Sequence, residues 1–220
     1  MSEEKLKLKK KIKKGPTLVV ALHSPGLVGN LAGLTLSLNP EFEHVGSFKG
    51  SKIPPIASIH KGKVYSPIRV YYHPKKNILL FLSEVSIPAN ASYEVGKAVL
   101  ELVDKYDVKD VYILSSMNEP DFHYITNKKG VKLKLYEINE GALAGLAALI
   151  LSELSDRGIE YLALFAPVED PQLDIKNTIK LLKKVEKLLG IKVDYRTLKK
   201  HLKEEEAEEP VEEQPKGMYR

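Results

Sequence analysis

The groups best placed to make a specific contact are the last three, Met218, Tyr219 and Arg220: a hydrophobic residue, a tyrosine and one further residue ending in a carboxylate. Methionine is flexible and fills irregular pockets. Tyrosine offers a flat apolar ring with a hydroxyl at its tip, a group enriched among interface hot spots. The terminal carboxylate suits a lysine or a nest of backbone N–H groups on a partner. Arg220 contributes its backbone and carboxylate more than its side chain. The preceding segment, Glu204 to Gly217, holds seven glutamates with Pro210 and Pro215, so it has almost nothing to bury and reads as a flexible acidic tether. About fourteen such residues reach roughly 20 Å on average and near 50 Å when stretched. Three residues bury little surface, so one tip binds weakly. Several tips on a symmetric oligomer gain through effective concentration, provided the tethers span the sites.

Elsewhere, residues with catalytic potential do not assemble into a recognisable motif. Ser24-Pro25-Gly26-Leu27-Val28-Gly29 lies between a strand pattern and a helix pattern, where glycines can bring backbone close to a phosphate, but it matches neither dinucleotide nor P-loop spacing. Tight helix–sheet packing explains it more simply. The histidines are His23, His44, His60, His73, His123 and His201, none paired at metal-ligand spacing; His23, beside the first turn, is the one positioned to face a cleft. Glu169, Asp170 and Asp174 stand near a strand end, where α/β enzymes keep their sites, yet capping and helix-dipole complementarity account for them. Ser115-Ser116 follows a strand without a G-x-S-x-G elbow. We expect no catalytic residue, no cofactor and no metal.

The 220 residues suit one domain with a single core, expected over 1–203, followed by the tail at 204–220. There is no cysteine, which excludes disulfide and thiolate chemistry. Lysine and glutamate dominate the charges, in the manner of heat-adapted proteins. The charge is uneven: residues 1–14 hold seven lysines against two glutamates, and residues 203–220 seven glutamates against two lysines and one arginine. Lys9 to Lys14 could touch nucleic acid, but no aromatic-rich basic platform accompanies it, so it reads as a solvated tail or strand lead-in. No apolar run approaches a bilayer-spanning length and no signal-peptide core follows the N-terminal lysines, so a cytoplasmic protein without nucleic-acid or membrane partners is expected.

The pattern predicts strands at 17–22, 43–48, 56–60, 64–72, 77–85, 110–114, 132–136 and 161–165, and helices at 27–38, 89–106, 141–154, 172–189 and 194–203. Residues 118–130 read as a polar link and Asp194 as an N-cap. Alternating strands and helices, with a hairpin insertion, give an α/β domain around a largely parallel sheet.

Over most of residues 17–200 the chain resembles the proteasome assembly chaperone family in its archaeal form. The resemblance rests on Pro25-Gly26-Leu27-Val28-Gly29; on Pro54-Pro55-Ile56 leading to Lys61-Gly62-Lys63-Val64-Tyr65-Ser66-Pro67-Ile68-Arg69-Val70-Tyr71; on Glu140-Gly141-Ala142-Leu143-Ala144-Gly145-Leu146; and on Asp174 with its long helix and Gly190-Ile191-Lys192-Val193-Asp194. Ser115-Ser116-Met117 departs from it, since many relatives are glycine-rich there. The resemblance implies a three-layer α/β/α sandwich with a mostly parallel mixed sheet, similar to nucleoside phosphorylases without their catalytic groups. It further implies a homo-oligomer, with the tetramer as the nearest type, that acts on the 20S proteasome without ATP. Met218-Tyr219-Arg220 is similar to the hydrophobic–Tyr–X tails that enter pockets between α-ring subunits, either to assist assembly or to activate. The alternative is a nucleoside- or nucleotide-binding protein, or an enzyme, of phosphorylase-like fold.

Overall fold

The computed structural model describes residues 5–60 and 62–208, with side chains from 6 to 60 and from 62 to 204. Along the chain come β1 (Lys5–Leu8), β2 (Thr17–Ala21), α1 (Val28–Ser37), β3 (Glu43–Lys49), β4 (Ser58–His60), β5 (Lys63–Tyr65), β6 (Ile68–His73) and β7 (Ile78–Ser83). There follow α2 (Ser92–Tyr106), β8 (Asp110–Ser116), β9 (His123–Thr126), β10 (Tyr136–Glu137), α3 (Gly145–Asp156), β11 (Glu160–Ala166), α4 (Ile175–Leu189) and α5 (Arg196–Glu208). Nine strands form one sheet in the order β1-β3-β6-β7-β2-β8-β11-β9-β10.

Its centre, β7-β2-β8-β11, is parallel. β1, β3, β6 and β7 are joined by antiparallel ladders on one side, and β9 runs antiparallel to β11 on the other. The central strands are the continuous apolar runs of the sequence, as required of strands covered on both faces: every residue of β6 and β7, and all but the first of β2 and β11, is buried. One face packs under α2 and α3, with Val99, Leu102, Ile150 and Leu154 in its core. The other packs under α1, α4 and α5, with Ala32, Leu36, Leu181, Leu182 and Leu198. This is the expected three-layer α/β/α sandwich. Among the described residues no helix is long and apolar enough to cross a membrane.

Local chemistry sets the helix ends. Asp174 caps α4 by accepting the Asn177 N–H at 2.8 Å. Gly190, in the left-handed region at φ 61°, ends it by donating its N–H to the Glu186 carbonyl at 2.9 Å.

Several expected elements differ. The 118–130 link contains β9, whose His-Tyr-Ile-Thr pairs with β11 from Phe165↔His123 to Leu162↔Thr126. The strand expected at 132–136 pairs only at its end, where Tyr136 and Glu137 lie parallel to His123 and Tyr124; Leu133 and Leu135 pack on the core face formed with α4. Helix α3 begins at Gly145, not Gly141, because Gly141 (φ 135°) breaks the helix and Ala142 to Ala144 are drawn across the strand ends. The N-terminal basic stretch opens as an edge strand on β3, with Leu6 and Leu8 resting on the core; its lysines suit an edge that must resist pairing with other chains.

β4 and β5 form a small separate sheet fastened to the main one by a buried polar cluster. Arg69 of β6 has no solvent exposure and pairs with Glu84. Its guanidinium lies 5.1 Å from the Tyr65 ring and 5.8 Å from the Tyr71 ring. Its Nε and Nη1 make no hydrogen bond, and the two aromatic faces stand in for acceptors. His60 Nε2 is 3.1 Å from Glu84, and the His44 ring packs edge-on to Tyr65 at 5.5 Å.

Burial, then the charges of Arg69 and Lys9, hold His44 below the ordinary histidine pKa, against the opposing pull of a backbone hydrogen bond to Gly46. A histidine with a depressed folded-state pKa binds its proton more readily when unfolded. Its contribution is therefore complete above about pH 6.5 and declines as the pH falls below that value. Urea denaturation at pH 7.5 and 5.5 should show lower stability at pH 5.5, with the difference reduced in His44→Gln. An unchanged difference in that variant would remove His44 from the account.

Candidate functional site

The turn after β2 and the turn after β11 are sewn together. The Gly26 N–H donates to the Pro171 carbonyl at 3.1 Å, and the Asp174 N–H donates to the Gly26 carbonyl at 2.8 Å. Gly26 and Leu27 are both left-handed, at φ 62° and 54°. Glycine adopts that conformation freely, whereas leucine does so at a cost the surroundings must hold. Gly29 lies where α1 crosses the strand ends: a Cβ there would sit 2.7 Å from the Leu114 carbonyl oxygen and closer still to that of Leu22. Backbone cannot move aside as a flexible side chain can, so Gly29 serves close helix–sheet packing. Gly29→Ala should cost on the order of 2–3 kcal/mol in chemical denaturation; a loss under about 0.5 kcal/mol would refute the packing account.

The strand ends bring together residues that are far apart in sequence. His23, Ser24, Ser115, Ser116 and Met117, with Phe165 and the Ala142–Leu146 strap, line a cleft of about 360 Å³ at the carboxyl ends of β2, β8 and β11. α1, which follows β2, lies on one face of the sheet, and α3, the helix following β8, on the other. The cleft therefore occupies a topological switch point, where open α/β sheets hold ligands.

His23 is half-buried, and desolvation lowers its pKa, which favours the neutral ring. The Ser24 hydroxyl accepts the Gly29 N–H at 3.1 Å. The Ser116 hydroxyl lies 2.6 Å from the Pro25 carbonyl and 2.9 Å from Ser24 Oγ. Both hydroxyls thus hold the turn in place. Asp174 is also structural. Its Oδ2 accepts the Glu169 N–H at 2.7 Å and the Asn177 side-chain amide at 2.9 Å. Glu169 lies outward toward Lys180, and the Asp170 side chain accepts the Gln172 N–H at 2.7 Å.

The other histidines are dispersed. His44 and His60 belong to the Arg69 cluster, His73 lies 3.3 Å from Glu41, and His201 lies 3.2 Å from Glu204. Among the described residues no group of three or more His, Asp or Glu is placed to hold a metal. Met218, Tyr219 and Arg220, the expected contact residues, lie outside the described residues.

A larger feature escaped the sequence. Contiguous with the cleft through Met117, Ala142 and Leu143 is an open groove of about 1070 Å³ along α3. Ile125, Ile138, Leu143 and Leu151 give it an apolar lining, and Glu119, Glu137, Glu140 and Asp156 an acidic one. His123 also lines it and stacks on Tyr136, with centroids 5.5 Å apart. These residues come from separate segments between 117 and 161, and only Glu140 to Leu143 belong to a motif noted in the sequence.

A three-layer α/β/α sandwich with a mixed sheet, its strand-end hydroxyls bound into the turn architecture, defines the class of protein. Residues 18–214 match the PAC2 family, and the chain belongs to it. It is 26% identical over 203 residues to the uncharacterized protein MJ0106 of Methanocaldococcus jannaschii, an alignment covering 87% of this chain and 82% of that one. Its fold is similar to crystal structures of two Pyrococcus furiosus proteins. PbaA, described as an archaeal homolog of proteasome-assembly chaperone, superposes with a TM-score of 0.79 at 21% identity, over 92% of this chain and 89% of that one. PbaB, described as an archaeal proteasome activator, superposes with a TM-score of 0.76 at 20% identity, over 94% and 97%.

Proposed function

We propose that this protein is a non-enzymatic, ATP-independent proteasome assembly chaperone or activator that inserts Met218, Tyr219 and Arg220 into pockets of the 20S proteasome α-ring. The tether was expected to begin at 204, but α5 continues to Glu208, so the folded body reaches that residue and the proposed tether is 209–220. The observation that carries this reading is the hydrophobic–Tyr–X ending, set behind seven glutamates, on a chain of this family with a PbaB-like fold. The Ser24–Ser116 arrangement is consistent with it, since these hydroxyls support a turn. A homo-oligomer, with four copies as the favoured number, multiplies the tips and so raises the binding of weak individual contacts. The protein works in the cytoplasm, where its partner lies.

The test is reconstitution. Full-length protein mixed with purified archaeal 20S proteasome should co-sediment with it, saturably and without nucleotide. Failure to co-sediment at tens of micromolar would overturn the proposal.

The switch-point cleft favours a second reading, a small-ligand protein of phosphorylase-like fold. Calorimetric titration with nucleosides and nucleotides separates the two: saturable micromolar binding supports the second, and flat titrations reject it for those ligands.

A further inference from the structure

The groove along α3 combines three features that bear on one kind of occupant. Its lining supplies apolar surface from Ile125, Ile138, Leu143 and Leu151. Of the Asp, Glu, Lys and Arg types only carboxylates line it, Glu119, Glu137, Glu140 and Asp156, with no lysine or arginine. Beside it stands Tyr136, 60% exposed and stacked on His123, with an aromatic face open to a cation. The carboxylates are distributed around the groove and do not converge on a metal-ligand set. At about 1070 Å³ the space exceeds what one small metabolite fills and suits several residues of a peptide.

We propose that this groove is a second docking surface, on the folded body, for a lysine- or arginine-rich peptide segment of a partner protein whose apolar side chains alternate with its cations. The apolar side chains enter the groove, and the ammonium or guanidinium groups reach Glu137, Glu140, Glu119 and Asp156. Charge complementarity selects the occupant: an acidic segment would meet like charge, costing affinity wherever it lay in the groove. The chain's own C-terminal segment from 204, with seven glutamates, is excluded on the same ground, so the groove stays available while the tail is engaged elsewhere. This surface is independent of the tail and extends the protein's contacts beyond the three terminal residues.

The test uses the full-length protein and a fluorescein-labelled eight-residue peptide of alternating leucine and lysine, read by anisotropy. Saturable binding is expected. Glu137→Lys with Glu140→Lys should weaken it at least tenfold. The charge-matched pair Glu101→Lys with Glu204→Lys, on exposed helix positions away from the groove, should change it less than twofold. An octalysine peptide should bind at least tenfold more weakly than the alternating one. Deleting 218–220 should leave peptide binding unchanged, which separates this proposal from the tail's role: either can fail while the other stands.

Equal weakening by both charge-reversed pairs would reduce the effect to the protein's overall field and overturn the groove. Equal binding of octalysine would overturn the apolar contribution, and absent or non-saturable binding would overturn the whole. Sedimentation showing an oligomer that dissociates on reversing Glu137 and Glu140 would assign the groove to a second copy of the chain instead.

Discussion

Deletion of Met218–Arg220 should abolish co-sedimentation with the 20S proteasome, and Tyr219→Ala should weaken it at least about 30-fold, the equivalent of a 2 kcal/mol hot spot. A single tip supplies few contacts, so its aromatic ring carries a large share of the energy. Multivalency multiplies the penalty, because every copy in an oligomer loses the same anchor at once. Tyr219→Phe separates the ring from its hydroxyl and should retain much of the binding if ring burial dominates. Thermal midpoints of all three variants should match the parent within about 1 °C, since a tip that docks on a partner leaves its own core untouched. Equal binding by parent, deletion and Tyr219→Ala would remove the tail from the mechanism. A large midpoint shift would place the tip against its own body.

Glu84→Ala should destabilise the fold by about 3–5 kcal/mol, because it strands the Arg69 guanidinium, fully buried, without its counter-charge. The Tyr65 and Tyr71 rings soften the loss but cannot neutralise it. Replacing both partners by apolar groups of similar volume, Arg69→Met with Glu84→Leu, should recover most of the stability, since the desolvation penalty then disappears with the pair. Urea denaturation measures both, and hydrogen exchange at residues 58–65 should show the small sheet opening first in the single variant. A single-variant loss below 1 kcal/mol would mean that water reaches the guanidinium.

What could be read from the sequence divides along a physical line. Strands covered on both faces announce themselves as unbroken apolar runs, so β2, β7 and β11 were expected within a few residues of where they lie. The capping by Asp174 was equally plain, because caps are local. β9 was missed, since four residues of His-Tyr-Ile-Thr gain strand character only from lying against β11. The alternation of Leu133 and Leu135 with lysines reads as a strand at 132–136, but alternation tells which side packs and not whether the backbone pairs. The cleft was foreseen only in part: His23 and the glycine turn were noted singly, while their meeting with Ser116 and the 142–146 strap is a product of the crossovers. The acidic groove was invisible for the same reason. Its carboxylates are separated by up to 37 positions, from Glu119 to Asp156, and none is unusual by itself.

The final helix and the groove belong to opposite layers of the sandwich, α5 resting with α1 and α4 while the groove runs beside α3. Leu198 and Leu202 of α5 therefore pack on the face of the sheet opposite to the one that carries α3. On the two proposals above, a body occupied at both its tail and its groove would serve as a bracket between two partners.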